Sequence, residues 1–175
     1  MASPKKVYWD TNVWLALINQ EAGRVDRCRY VISEARAGKV QIWTSTISLA
    51  EAFKVTGEIS GVVLPEIKDL EFEQYVTQDC YVLVQVDYDI GVQARRLLRA
   101  HPPLKKPADA IHLATALESN VEELHTFDDK NLIPLSGLVM RADGAPLTIC
   151  FPPESPQPSL IKYDDPPPNP NAGVW

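Results

Sequence analysis

The sequence has too few cysteines for a disulfide framework. Cys28, Cys80 and Cys150 are odd in number and scattered over 175 residues. That spacing fits neither a stapled secreted scaffold nor a zinc knuckle, and free thiols fit a reducing cytoplasm. No apolar run approaches the roughly 18 residues of a membrane span. The opening Met1-Ala2-Ser3-Pro4-Lys5-Lys6 leads into no apolar targeting segment, so a soluble cytoplasmic protein is expected. Excess basic charge is missing too: 17 Lys and Arg stand against 23 Asp and Glu, a net charge of −6. This argues against a general nucleic-acid coat. It leaves room for an enzyme acting on nucleic acid, because bound cations neutralise an acidic cage. No internal repeat is present. With 45% apolar and 23% charged residues, the chain has the composition and length of one globular domain with a sizeable core.

The pattern along the chain alternates strands and helices. Val7-Tyr8-Trp9 has high strand propensity and ends at Asp10-Thr11-Asn12, after which Val13 to Ile18 looks like a buried helix. Val25, Cys28, Val31, Ile32 and Ala35 recur at helical spacing between Arg24 and Ala37, and Gly38 ends that helix. Val40 to Trp43 is a second strand. Thr44-Ser45-Thr46 offers cap residues for a helix over Ile47 to Val55, and Gly57 and Gly61 mark a loop. Pro65 to about Gln78 is helical, Cys80 to Val84 a third strand, and Asp87 to Ala100 an amphipathic helix. A turn over His101 to Pro107 precedes a largely apolar helix from Ala108 to Leu117. Glu123 to Phe127 and Leu147 to Cys150 supply the last strands. The alternation predicts a three-layer α/β/α sandwich with a mostly parallel central sheet covered on both faces. Residues 151–175 hold eight of the 15 prolines, which predicts a domain over 1–150 and an extended or disordered, solvated tail.

Four acids occupy comparable places. Asp10 and Asp128 lie where strands run out, Glu51 lies in the helix after the second strand, and Asp109 opens the helix that follows Pro107. Each has a purely structural account. Asp10 is a preferred N-cap, Ser48-x-x-Glu51 fits a capping box, Asp109 complements a helix dipole, and Asp128 suits a turn, with Asp129 a weaker duplicate. Against this, Ile47, Leu49, Ala50, Ala52 and Phe53 surround Glu51 with apolar residues, and a buried carboxylate must be paired, protonated or metal-bound. A doubly wound sheet also brings all four places to one edge. Carboxylates crowded there repel unless a cation intervenes, and an oxygen-only ligand set favours Mg²⁺ or Mn²⁺ over zinc.

The motifs, in order, are hydrophobic-Asp10-Thr11-Asn12, Ser45 with Glu51 six residues on, Pro107-Ala108-Asp109-Ala110-Ile111-His112-Leu113-Ala114-Thr115-Ala116, and Thr126-Phe127-Asp128. Over roughly residues 5–150 the sequence resembles the PIN-domain ribonucleases and, among them, the toxins of VapBC-type toxin–antitoxin pairs. The resemblance implies a metal-dependent endoribonuclease of RNA. Asp10, Glu51, Asp109 and Asp128 would hold one or two Mg²⁺ or Mn²⁺ ions that activate water and offset charge on the phosphate. Thr11 and Asn12 would orient Asp10 or touch the phosphate, and Ser45 would cap the helix that fixes the cage. It further implies a protein antitoxin partner and a homodimer. With metal-activated water no general base is needed, and His112 is assigned to the core. Arg95, Arg96, Arg99, His101, Lys105 and Lys106 form the one concentrated basic stretch. It reads either as a solvated helix face or, through its Arg and Lys residues, as a grip on RNA phosphates. The competing functions are a non-toxin PIN nuclease of RNA processing, a PIN-fold binding module without catalysis, and a receiver-like or phosphatase-like domain with Asp10 as phosphoacceptor and Lys130 nearby.

Overall fold

The computed structural model describes residues 3–52 and 65–156. The expected helix residues 53–55, the Gly57 and Gly61 loop, and the tail from 157 onward lie outside the described residues. Five strands form one sheet: β1 (Lys5–Trp9), β2 (Val40–Ser45), β3 (Tyr81–Val84), β4 (Glu123–His125) and β5 (Thr148–Cys150). Their order is β3-β2-β1-β4-β5 and every pairing is parallel. Among the described residues six α-helices, α1 (Thr11–Ile18), α2 (Val25–Arg36), α3 (Ile47–Glu51), α4 (Glu66–Val76), α5 (Tyr88–Ala100) and α6 (Pro107–Glu118), and a 3-10 turn over Ile133–Leu135 lie between them.

Strand alternation decides which layer each β1 residue joins. Val7 and Trp9 face the core under α1, α2 and α4, where Trp14, Cys28, Ile32, Phe72 and Tyr75 are buried. Tyr8 faces the opposite core, under α5 and α6, with Ile90, Leu113, Leu124 and Ile149. The three-layer expectation is met because both faces of the central strand are apolar. Trp14 is fully buried and touches Trp9, Phe72, Tyr75 and Tyr81 with ring centroids 4.8 to 6.3 Å apart. That aromatic knot ties α4 and β3 to α1. Gly38 ends α2 at φ +72°, a left-handed conformation that any side chain would strain.

The topology fixes where a ligand can sit. From β1 the chain winds outward to β2 and β3, then returns to the other side of β1 for β4 and β5. The switch point is therefore the gap between β1 and β4, and the crevice beyond the strand ends there is the default ligand site of an open α/β sheet. Asp10 leaves β1 at that gap, and Thr126, Phe127 and Asp128 leave β4. No described helix is long and apolar enough to cross a membrane.

Candidate active site

Asp10 takes the capping role expected of it. Its carboxylate caps α1, accepting from the Val13 N–H at 3.3 Å, and accepts the Thr126 hydroxyl at 2.6 Å. It is buried, and burial raises its pKa to about 7 against the pull of His112 and these hydrogen bonds, with repulsion from Asp109 adding to the rise. Thr126 is the hub of the switch point. Its hydroxyl donates to Asp10 and accepts from the Asn12 side-chain amide at 3.1 Å and the Asp128 backbone N–H at 2.9 Å. That uses its one donor and both acceptor sites. Asn12 also accepts the Phe127 N–H at 2.7 Å, so it clamps the two loops and orients Asp10 through Thr126.

Glu51 departs from its expected setting. Helix α3 is not a buried element: Leu49 and Ala50 are exposed and only Ser48 is buried. No capping box forms, because the N-cap is Thr46 without a side-chain cap bond, and Ser48 bonds Thr44 at 2.9 Å instead. The Glu51 carboxylate reaches over the crevice, accepting from Thr11 at 2.7 Å and meeting His112 Nε2 at 2.9 Å. Burial pushes its pKa up, but the His112 contact, the Thr11 hydroxyl and the charge of Lys106 outweigh that and hold it below the ordinary value. Thr11 thus orients Glu51. Ser45 does not cap the helix either. It is the last residue of β2, wholly buried.

Asp109 sits in the first turn of α6, as Pro107 at its start predicts. One of its oxygens is buried and has no hydrogen-bond partner. Its pKa is raised, first by burial and then by the charges of Asp128 and Glu51, with Lys106 and His112 opposing. Asp128 makes the turn anticipated for it, accepting the Lys130 and Asn131 N–H groups at 3.0 and 2.9 Å and the Asn131 amide at 2.7 Å. Burial raises its pKa, but those bonds and Lys106 prevail and lower it. The charge of Asp109 acts on Asp10, and those of Asp128 and Glu51 act on Asp109. Asp129 is exposed. Of the basic stretch, Lys106 acts on Glu51, Asp109 and Asp128, whereas Arg95, Arg96 and Arg99 lie exposed on α5 and Lys105 is exposed before α6.

His112 is buried in the core, as expected, with both ring nitrogens satisfied: Nδ1 meets the Tyr8 hydroxyl at 2.8 Å, while Nε2 meets Thr11 at 3.0 Å as well as Glu51. Tyr8 was missed. Tyr8 is fully buried, and burial keeps its hydroxyl protonated. A hydroxyl on a strand buried on both faces needs a polar partner, and that signal was available in Val7-Tyr8-Trp9.

The donors suit a hard divalent cation. Mg²⁺ is commonly held by one or two carboxylates with the rest of its shell supplied by water and substrate phosphate. A buried carboxylate oxygen without a hydrogen bond is an unmet acceptor that a cation satisfies. Among the described residues, the one set of three ligand atoms within 4.8 Å of one another is elsewhere, at Glu123, His125 and Cys150. That set is already hydrogen-bonded. Trp9 Nε1–H can only donate, so His125 Nδ1 accepts at 3.1 Å and Nε2 carries the proton toward Glu123 at 3.1 Å. A metal on Nε2 would require moving that proton to Nδ1, against the indole N–H.

An all-parallel sheet with Asp10 and Asp128 on the loops at its switch point and Asp109 opening α6 defines a small α/β domain with acids beyond its strand ends. The chain belongs to the PIN domain family, whose model matches residues 7–133. Among solved structures it is similar to the Mycobacterium tuberculosis VapC20, a sarcin-ricin loop cleaving toxin, at 18% identity and TM-score 0.56, covering 70% of this chain and 89% of that one. It is also similar to a chain of a toxin–antitoxin complex from Klebsiella pneumoniae, at 23% identity and TM-score 0.51, covering 85% and 99%. A third likeness is to VapBC2 from Rickettsia felis, bound to a DNA fragment from its promoter, at 15% identity and TM-score 0.52, covering 71% and 89%. At these identities the likeness is one of fold. No curated protein matches the chain.

Proposed function

We propose that the protein is a metal-dependent endoribonuclease acting as the toxin of a toxin–antitoxin pair. The observation that carries this is the buried, unpartnered oxygen of Asp109 in a crevice where Asp10, Glu51 and Asp128 also concentrate negative charge. In this reading Asp10 and Asp109 are the central ligands of one or two Mg²⁺ or Mn²⁺ ions, with Glu51 beside them and Asp128 acting directly or through water. The bound cation supplies a Lewis acid at the scissile phosphate and lowers the pKa of water.

The chain's own groups do the positioning. Thr126 holds Asp10, and the Thr11 hydroxyl and His112 Nε2 hold Glu51. Tyr8 in turn fixes the His112 ring from Nδ1, the outer-shell support that ligating carboxylates commonly need. Lys106, at the rim, attracts the RNA backbone, and Arg95, Arg96, Arg99 and Lys105 extend that attraction along α5 and the turn after it. The toxin reading is supported by the solved structures of similar fold, two of which are described as a cleaving toxin and a toxin–antitoxin complex. It includes an antitoxin partner and a homodimer.

The test is cleavage of single-stranded RNA by purified protein with Mn²⁺ or Mg²⁺. Cleavage should vanish with chelator and in Asp109→Asn and Asp10→Ala variants that remain folded. Acyl phosphate on Asp10 instead of RNA cleavage would sink the proposal in favour of a phosphoacceptor domain. Growth arrest on expression, relieved by Asp109→Asn, separates a toxin from a processing nuclease.

A further inference from the structure

Helix α5 has two distinct faces. Ile90, Ala94 and Leu97 are buried in the core shared with α6. Tyr88, Gly91, Arg95 and Arg99 recur at spacings of three and four on the exposed face, with Arg96 beside them. Three features of that face are unexplained by packing. Tyr88 is 82% exposed, and among the described residues no ring, cation or hydrogen-bond partner meets its side chain, so the ring has a free face. Gly91 has ordinary helical backbone, and a Cβ there would meet nothing within 4 Å. Glycine inside a helix lowers stability, and what it leaves is bare backbone that an outside group can approach closely. Arg95, Arg96 and Arg99 have no carboxylate partner among the described residues, although Arg24, Arg27, Arg29 and Arg141 each pair with one in a chain of net charge −6.

We infer that the stripe of Tyr88, Gly91, Arg95 and Arg99 is a track for single-stranded RNA, with one unpaired base stacked on Tyr88 and the adjoining phosphates passing over Gly91 to the arginines. The inference rests on the nuclease proposal and gives its substrate a path. Charge and ring together select the occupant. Guanidinium groups left unpaired on an acidic protein attract a polyanion, and a free ring beside them takes a base of any identity. Duplex RNA keeps its base faces stacked, so the strand is single. Asp89 and the Asp87 cap, which accepts the Ile90 N–H at 3.0 Å, repel phosphate from the tyrosine end. The ring therefore meets a base and the arginines meet phosphate. Both ends of α5 are joined to the acids. Before it, the Val86 N–H bonds the hydroxyl of Thr46 at 3.3 Å, and Thr46 is the N-cap of α3, which carries Glu51. After it, the turn from His101 leads to Lys106, whose charge acts on Glu51, Asp109 and Asp128.

Fluorescence anisotropy with labelled, unstructured RNA and the full chain, in chelator to stop cleavage, tests the track. Tyr88→Leu and Tyr88→Ala should weaken binding about 5- to 100-fold, while Tyr88→Trp retains it. Gly91→Gln should raise Tm by about 1 to 3 °C yet weaken RNA binding by a factor comparable to that of Tyr88→Leu. A glycine with only a structural role cannot produce that opposition. Arg95→Gln and Arg99→Gln should each lower the slope of log K against log salt by about 0.7. Equal affinity of natural and Tyr88→Leu protein overturns the track, as does absence of RNA binding by the natural chain. A change from dimer to monomer in sedimentation of Gly91→Gln assigns the face to a second copy and overturns it too. Metal-dependent cleavage with equal affinities across the variants defeats the track and leaves the nuclease; the expected losses without cleavage do the reverse.

Discussion

In the metal-free protein, Asp10→Asn should become progressively more favourable to stability as pH rises from 5 to 8. The cause is that burial holds the Asp10 carboxyl at about 7, against 3.8 in an exposed chain. The folded state therefore binds the proton more tightly than the unfolded state. The stability Asp10 contributes is fully present below about pH 3.8 and is lost as pH rises toward 7. Each pKa unit is worth about 1.4 kcal/mol, so the part of this loss between pH 5 and 8 is about 3 kcal/mol. Asparagine does not ionise and escapes it. It has a cost independent of pH, because its amide N–H groups would meet a Thr126 hydroxyl that already accepts from Asn12 and Asp128. That mismatch costs about 1 kcal/mol. The loss is already about 1.7 kcal/mol by pH 5, so the difference in stability between variant and natural protein should run from about 1 kcal/mol at pH 5 to about 3 kcal/mol at pH 8, both in favour of the variant. For a chain of this size the swing is about 6 to 12 °C in Tm. His125 changes the raw profiles the other way, since burial lowers its pKa against the pull of Glu123, but it is common to both proteins and cancels in the difference. Calorimetry in chelator at four or five pH values measures it. A pH-independent difference, or one that shrinks with rising pH, would refute the buried-carboxylate argument. Mn²⁺ at a hundredfold over its Kd should return about 2.7 kcal/mol to the natural protein at pH 8, and less to the variant.

His112→Leu removes the donor to Glu51 and the partner of the Tyr8 hydroxyl. Mn²⁺ affinity, measured by calorimetric titration, should fall about 10- to 100-fold, and His112→Gln, which restores an N–H near Nε2, should recover much of it. Lys106→Ala should weaken binding of different RNA sequences about equally and lower the slope of log K against log salt by about one. A sequence-dependent loss would show that Lys106 does not act on the backbone. Trp14→Ala empties the centre of the knot formed with Trp9, Phe72, Tyr75 and Tyr81 and should cost about 3 to 5 kcal/mol in urea unfolding.

How much of this could be read before the structure depends on whether a residue's task is local. The strands and helices were legible because hydrophobic period and caps are local signals, and the switch point follows once the strands are parallel. The positions of Asp10, Asp109 and Asp128 were legible for the same reason: each is defined by the end of one element. Glu51 shows the limit. Its sequence neighbours are apolar and indicate burial, yet α3 is so short and marginal to the sheet that Leu49 and Ala50 face outward. What holds Glu51 is Thr11, 40 residues away, and His112, 61 residues away. No period along α3 encodes either.

The same limit explains His112, whose helix is apolar on nearly every side. Its polar partners come from β1 and α3, so its setting looks like core until the sheet is assembled. Thr126 makes the point most sharply. It was visible only as the first letter of Thr-Phe-Asp, but its hydroxyl joins Asp10 of the β1 loop to Asp128 of the β4 loop. Removing that hydroxyl would free the Asp10 carboxylate and the Asp128 backbone N–H at once while exposing no new surface, since Thr126 is wholly buried. Thr126→Val preserves the shape and deletes the bridge. It should therefore depress Mn²⁺ affinity more than Thr11→Val, which loosens Glu51 while His112 still holds it, and calorimetric titration of the two variants ranks them. The opposite ranking would mean that the α3 side of the crevice, and not the β1–β4 gap, holds the cation.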